Sequence, residues 1–132
     1  MKSLLRPVIA LLATLTFSFA AVPDDIRQDL GKLVPEAIRL LEAKEYVTLI
    51  ETLATPDDLK KIAADGGVAK IAEEFGKGKS EGLLAVFKAI KDKQPKLSDD
   101  GNTATYALPE IPDVPRKEIV FTKIEGRWFI RN

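Results

Sequence analysis

The apolar residues in the first half of the chain recur at steps of three and four, the period of an amphipathic helix. Over residues 24–43 this pattern predicts one long helix, kinked near Pro35 because a proline inside a helix loses one backbone hydrogen bond. The alternative is two helices, with Pro35 in the first turn of the second. The repeating apolar positions are Ile26, Leu30, Leu33, Val34, Ala37, Ile38 and Leu41.

Four shorter helices are predicted downstream, over residues 45–53, 56–64, 68–75 and 80–92. Thr55 and Pro56 form a strong helix start, because a threonine side chain caps a first turn and proline suits the first helical position. Ser80 is expected to cap the last of these helices in the same way.

The second half of the chain has the composition of β-strands. Residues 103–108 and 117–124 are rich in threonine, aromatic and β-branched side chains. A short strand is expected at 96–98, and the Glu125-Gly126 turn predicts a hairpin that returns through 127–131. The fold class predicted is therefore α+β, with N-terminal helices, including the long kinked first helix, packed on a C-terminal curved antiparallel sheet of three to four strands. The main core residues predicted are Phe87, Phe121, Trp128 and Ile130.

The first twenty residues have the three parts of a secretory signal peptide. Lys2 and Arg6 give a positive start, an apolar stretch follows, and small residues at Ser18 and Ala20 suit a cleavage site. The uncharged run over 7–22 is shorter than the roughly 20 residues that a membrane-spanning helix needs. The sequence therefore predicts a signal peptide at 1–20 and a single domain at 21–132, with an uncleaved anchor as the alternative.

Charge argues against two classes of partner. The chain has 20 basic and 20 acidic residues, and Lys2 and Arg6 fall in the leader, so the mature domain carries a net charge of about −2. A nearly neutral domain lacks the basic surface that binds nucleic acid or anionic lipid. We therefore expect no nucleic-acid partner and, after cleavage, no stable membrane anchor.

The chain contains no cysteine, which excludes disulfides and the acylated cysteine of a lipoprotein. It also has no Asn-x-Ser/Thr acceptor site, since Asn102-Thr103 is followed by Ala104. Both features favour an exported bacterial protein, periplasmic or extracellular, over a eukaryotic secreted protein.

The order of elements and the C-terminal strand resemble the superfamily of cone-shaped α+β domains related to nuclear transport factor two, also called cystatin-like or SnoaL-like. Many small exported bacterial members end in Gly-[Lys/Arg]-Trp-x-[Ile/Val], which Gly126 to Ile130 match. The stretch from Leu40 to Leu53 is similar to the helix, polar break and helix that follow the family's first helix. The resemblance covers residues 24–132 and implies a pocket between the sheet and the long helix.

Family enzymes usually carry an Asp–His or Tyr–Asp set in that pocket, and this chain has no histidine. Many other members are binding or assembly modules. The absence of histidine and cysteine also excludes Ser-His-Asp triads, cysteine nucleophiles and zinc sites built on those ligands.

Two further patterns are weighed against simpler explanations. Gly78-Lys79-Ser80 ends like a phosphate-binding loop, but Glu73 stands where the full pattern needs glycine, so a flexible connection before a capped helix is favoured. The paired acids are expected to be solvated or helix-capping residues, and the 99–102 turn lacks the alternating acids of a calcium loop. These pairs are Asp24-Asp25, Asp57-Asp58, Glu73-Glu74 and Asp99-Asp100.

The candidate ligand-pocket residues are Glu42, Tyr46, Tyr106 and Trp128, with ordinary core aromatics as the alternative. No catalytic residue, cofactor or metal site is predicted. The function expected is a non-catalytic module that binds a small apolar ligand or a protein partner. The alternatives are a weak isomerase- or hydratase-like enzyme using Tyr and Asp/Glu, and a homodimeric assembly domain that pairs through its open sheet face.

Overall fold

The computed structural model describes residues 21–131, and the predicted signal peptide at 1–20 lies outside them. Within this part of the chain, six helices precede a four-stranded antiparallel sheet, which confirms the α+β class. The helices are α1 (Asp24–Arg27), α2 (Leu30–Glu42), α3 (Tyr46–Leu53), α4 (Pro56–Ala64), α5 (Val68–Gly78) and α6 (Ser80–Ile90). The strands are β1 (Lys96–Leu97), β2 (Thr103–Ala107), β3 (Glu118–Ile124) and β4 (Arg127–Ile130).

The single helix predicted over 24–43 is two helices in the structure, and the break falls at Gln28 and Asp29 instead of Pro35. Asp29 has an extended backbone (φ −130°, ψ 110°), and the Gly31 N–H donates to its carboxylate at 2.8 Å. This side-chain cap starts α2 anew after the short α1. Pro35 lies inside α2, so the alternative in which it starts a second helix is also wrong.

The region around Ser80 also differs from its prediction. Helix α5 extends to Gly78, three residues past the predicted end, so the expected flexible connection is helical. Ser80 is the first residue of α6 instead of its cap, and its hydroxyl donates to the Gly76 carbonyl at 3.1 Å. Because these residues are helical, they cannot form the loop that surrounds a bound phosphate. The start of α4 is as predicted, since the Asp58 N–H donates to the Thr55 hydroxyl at 3.1 Å.

The strands pair in chain order, β1-β2-β3-β4, each antiparallel to the next. The predicted hairpin between β3 and β4 is present. Glu125 and Gly126 both have positive φ (50° and 83°), the turn geometry that matches the twist of the flanking strands. Across this hairpin Lys123 pairs with Trp128, and between β2 and β3 Tyr106 pairs with Ile119.

The core lies between the helices and one face of the sheet. Phe87 of α6 and Phe121 of β3 are fully buried at its centre, with ring centroids 6.2 Å apart. Trp128 is also buried, whereas Ile130 is half-buried and packs against the core. These positions confirm Phe87, Phe121 and Trp128 as core residues. The helical face of the core is formed by the buried side chains of α2, α3 and α6, among them Leu33, Ala37, Leu40, Leu49 and Ile90.

Candidate functional site

Helices α2 and α6 pack against each other in opposite directions, and each end of this pair borders a cleft. The first, called the sheet cleft, has a volume of about 700 Å³ and lies between the start of α2, the segment after α6 and the sheet. The second, called the helical cleft, has a volume of about 370 Å³ and lies between the end of α2, α3 and the α5–α6 junction. The residues of the sheet cleft used below are Asp29, Leu30, Val34, Leu97, Tyr106 and Trp128.

Tyr106 is the main polar group at the base of the sheet cleft. Strand alternation turns its side chain toward the helices, where it is 4% exposed and packs edge-to-face on Phe121 at 5.8 Å between ring centroids. Its hydroxyl has no hydrogen-bond partner within residues 21–131. The oxygen is still open to solvent. Within residues 21–131, Nε of Arg27 is the polar side-chain atom that is both buried and without a hydrogen-bond partner, and the Tyr106 oxygen is not in that class.

The Tyr106 hydroxyl is protonated at neutral pH, as in an ordinary tyrosine, and its surroundings reinforce this. Burial raises the pKa of Tyr106 above its ordinary value of 10.0, and the nearby Asp29 carboxylate raises it further. A protonated phenol offers one hydrogen to an acceptor. The base of the cleft therefore presents a hydrogen-bond donor at neutral pH.

Trp128 borders the same cleft from β4. It is 5% exposed, and the Lys123 ammonium lies 5.5 Å from the centroid of its ring, within the range of a cation–π contact. Leu30 and Val34 of α2 are buried beside it and make one wall of the cleft apolar, whereas Gln28 and Gln94 add polar surface elsewhere in the lining. Leu97 on β1 extends this lining outward, with 55% of its surface exposed.

The rim of the sheet cleft carries charges of both signs. Lys91 and Lys93 lie in the segment after α6, and Asp92 lies between them. Asp29 supplies a second negative charge from the start of α2, where the Gly31 N–H already donates to it. Two basic and two acidic groups leave the rim without a net charge.

The helical cleft holds the other two candidates. Glu42 is exposed, and one of its carboxylate oxygens lies 3.4 Å from Nζ of Lys88. Tyr46 is half-buried and packs edge-to-face on Phe75, with ring centroids 5.5 Å apart. A Cβ atom on Gly76 would lie 2.7 Å from the Tyr46 ring, so this aromatic ring fits only against a bare backbone.

The structure thus divides the four predicted pocket residues. Tyr106 and Trp128 share the sheet cleft, whereas Glu42 and Tyr46 share the helical cleft. The sequence analysis missed Asp29, whose Asp-x-Gly cap is the local signal that the long apolar pattern concealed. It also missed the polar segment that closes the rim, residues 91–95.

The acidic residues of the described chain are at its surface, and none is buried. Among them there is no cluster of three or more that could hold a metal ion. Three of the paired acids noted in the sequence make structural contacts at the surface. Asp24 pairs with Arg127 at 2.9 Å and Glu73 with Lys77 at 3.2 Å. The Asp100 carboxylate accepts from the Ser98 hydroxyl at 2.6 Å, which lowers its pKa and stabilises the turn.

No family model, curated protein or solved structure matches the chain. The resemblance to the nuclear transport factor two superfamily therefore stays a prediction. No helix within residues 21–131 is both long and apolar enough to cross a bilayer.

Proposed function

We propose that the protein is an exported, non-catalytic binding module that holds a small, mainly apolar ligand in the sheet cleft. The observation that carries this proposal is the unpartnered Tyr106 hydroxyl at the base of a cleft of about 700 Å³. Small-molecule sites are usually clefts of about 300–1,000 Å³, lined by apolar side chains and a few polar groups that fix orientation.

The sheet cleft has a volume in that range, and its lining combines apolar side chains with a larger share of polar surface. Leu30, Val34 and Trp128 supply apolar surface, and Leu97 places a large exposed apolar side chain at the entrance. An exposed leucine that continues an apolar lining is suited to contact a ligand. Tyr106 supplies the polar group that would orient it.

The enzyme alternative has less support. It predicts a buried carboxylate with a raised pKa beside a tyrosine, since burial disfavours the charged form. Asp29 is the acid near Tyr106, but it is exposed and its carboxylate already accepts from the Gly31 N–H. The geometry therefore favours binding over proton transfer.

The homodimer alternative also has less support. The outer face of the sheet carries threonine and charged side chains, including Thr105 and Thr122, together with half-buried Val120 and Ile124. Its buried aromatic residue, Phe129, is covered by the Arg27 guanidinium, which lies 5.3 Å from the ring centroid. Within residues 21–131, no large apolar side chain on this face is as exposed as Leu97 or Val47, so it has less to offer a second copy than a fully apolar face would.

Native mass spectrometry of the protein purified from its own host tests the proposal. We expect a monomer mass that begins at Ala21 and carries a non-covalent adduct of small-molecule size. A mass that retains Met1 would contradict export by cleavage, a dimer mass would support the assembly alternative, and a bare monomer would contradict ligand binding.

A matched pair of variants locates the adduct. Leu97 and Val47 are the large hydrophobic residues that the described surface exposes, at 55% and 42%, and only Leu97 lines the sheet cleft. We expect Leu97→Asp to release the adduct and Val47→Asp to retain it. Equal retention in both variants would place the ligand elsewhere.

A further inference from the structure

We propose that the sheet cleft selects uncharged ligands that present a hydrogen-bond acceptor, such as a ketone, ester or amide carbonyl, on an apolar body. This inference rests on the proposed function and adds the chemistry by which the ligand would be recognised. It is carried by three features of the cleft: the Tyr106 hydroxyl, the charges around it and the apolar lining beyond it.

The Tyr106 hydroxyl can donate a hydrogen bond to an acceptor on the ligand. The side chain is 96% buried, because its exposed fraction is 4%, yet its hydroxyl has no protein partner within residues 21–131. The phenol is protonated at neutral pH, as an ordinary tyrosine is, and burial and the Asp29 carboxylate raise its pKa further. The oxygen is open to the cleft, so its hydrogen is available to a bound ligand in place of water. A ligand oxygen that accepts this hydrogen would be oriented by it.

The surrounding charges disfavour an ionic group at that position. The Asp29 carboxylate lies near enough to raise the Tyr106 pKa, so it would repel a ligand carboxylate or sulfonate bound to the hydroxyl. On the rim, Lys91 and Lys93 are matched in number by Asp29 and Asp92, so these four residues give no excess charge of either sign. A neutral carbonyl accepts the hydrogen without meeting this repulsion.

The rest of the cleft accommodates the body of the ligand. Leu30, Val34 and Trp128 form an apolar wall beside the hydroxyl, and Leu97 extends it toward solvent. Burial of apolar ligand surface supplies affinity in such a site, whereas a single hydrogen bond supplies orientation.

The tryptophan content of the chain makes a direct test possible. Trp128 is the chain's only tryptophan, so energy transfer from its emission reports a fluorescent ligand bound to the domain, and the variants described below locate the site. The two probes are propionyl-dimethylaminonaphthalene, an uncharged ketone, and anilinonaphthalene sulfonate, an anion of similar size. We expect the ketone to bind the unmodified protein more tightly than the sulfonate. A tighter sulfonate would overturn the inference, and this comparison needs no variant.

The two tyrosines of the chain provide a matched pair of variants. Loss of one neutral hydrogen bond predicts that Tyr106→Phe weakens ketone binding by about three- to tenfold. Tyr46→Phe removes the same atom from the helical cleft and should leave the affinity unchanged. Trp128 emission of each free variant checks that the fold is retained. Equal affinities for Tyr106→Phe and the unmodified protein would overturn the inference.

The outcomes separate the two proposals. Energy transfer from Trp128 to neither probe would contradict the proposed function together with the inference. Transfer to the ketone that is insensitive to Tyr106→Phe would leave the binding function standing and overturn only the role of the Tyr106 hydroxyl. Ketone-selective transfer that depends on Tyr106 supports both.

Discussion

The two tyrosines of the chain lie at opposite ends of the α2–α6 pair and make similar local contacts with very different consequences. Each packs edge-to-face on one phenylalanine, Tyr106 on Phe121 at 5.8 Å and Tyr46 on Phe75 at 5.5 Å. Tyr106 is nevertheless buried in the core, whereas Tyr46 is only half-buried. An aromatic pair alone therefore does not indicate a functional pocket; the elements that surround it decide.

Those elements differ in kind. Tyr106 projects from β2, where it pairs with Ile119 of β3, and the start of α2 borders the same cleft. Tyr46 begins the short helix α3 and rests against the backbone of α5 at Gly76. The first arrangement leaves a polar atom at the base of an open cleft, and the second uses the ring to join two helices.

The largest expected effect distinguishes the two phenylalanine partners. Phe121 is 0% exposed, so Phe121→Ala should lower the free energy of unfolding by about 3–5 kcal/mol. Phe75 is only half-buried, and Phe75→Ala should cost about 1–2 kcal/mol because less apolar surface is lost. Urea denaturation measures both values. Equal losses would show that the helical cleft belongs to the core as fully as the sheet cleft does.

A second, smaller effect tests how tightly Tyr46 closes the helical cleft. A Cβ atom at Gly76 would approach the Tyr46 ring to 2.7 Å, whereas one at Gly78 in the same helix meets nothing within 4 Å. Gly76→Ala should therefore be less stable than Gly78→Ala by about 1–3 kcal/mol, the usual cost of overpacking. Urea denaturation of the two variants gives the difference directly. If they are equally stable, the Tyr46 ring moves aside freely and the helical cleft is adaptable.

Most of the fold was predictable because hydrophobic period and turn chemistry act locally. The Thr55-Pro56 start of α4 and the Glu125-Gly126 hairpin follow from one or two residues each, and both are confirmed. The break at Asp29 was missed because the apolar pattern continues across it in phase. Ser80 is predicted to cap α6, but its hydroxyl donates to the Gly76 carbonyl in the preceding helix. This hydrogen bond depends on the extension of α5 to Gly78, which the sequence pattern does not predict.

The site was harder to predict, since a cleft depends on packing between distant segments. Tyr106 and Trp128 were singled out as aromatic residues and do share a cleft. Tyr46 is selected from the sequence as an aromatic residue and Glu42 for its place near the end of the first long helix, but both lie at the end opposite the sheet cleft. Only the opposed packing of α2 and α6 shows which end of the helix faces which tyrosine.

The smallest expected effect tests the link between Asp29 and Tyr106. The Asp29 carboxylate caps α2, so Asp29→Ala should lower the free energy of unfolding by about 1 kcal/mol. It should also lower the pKa of Tyr106, because the negative charge that helps to raise this pKa is removed. Thr55→Ala is the matched control, since it removes a cap from α4 at a similar cost without altering the charge near Tyr106.

Phenolate absorbance in a Tyr46→Phe background reads this titration, because Tyr106 is then the chain's only tyrosine. The pKa of Tyr106 is raised in the folded protein, so its contribution to stability is complete below pH 10.0 and is lost as pH rises through the folded-state pKa. Asp29→Ala should shift that loss to lower pH and Thr55→Ala should not. An unchanged Tyr106 titration in Asp29→Ala would show that burial alone raises the pKa. The Asp29 charge would then no longer argue against an anionic ligand at the Tyr106 hydroxyl, and selection for a neutral acceptor would depend on the balanced rim alone.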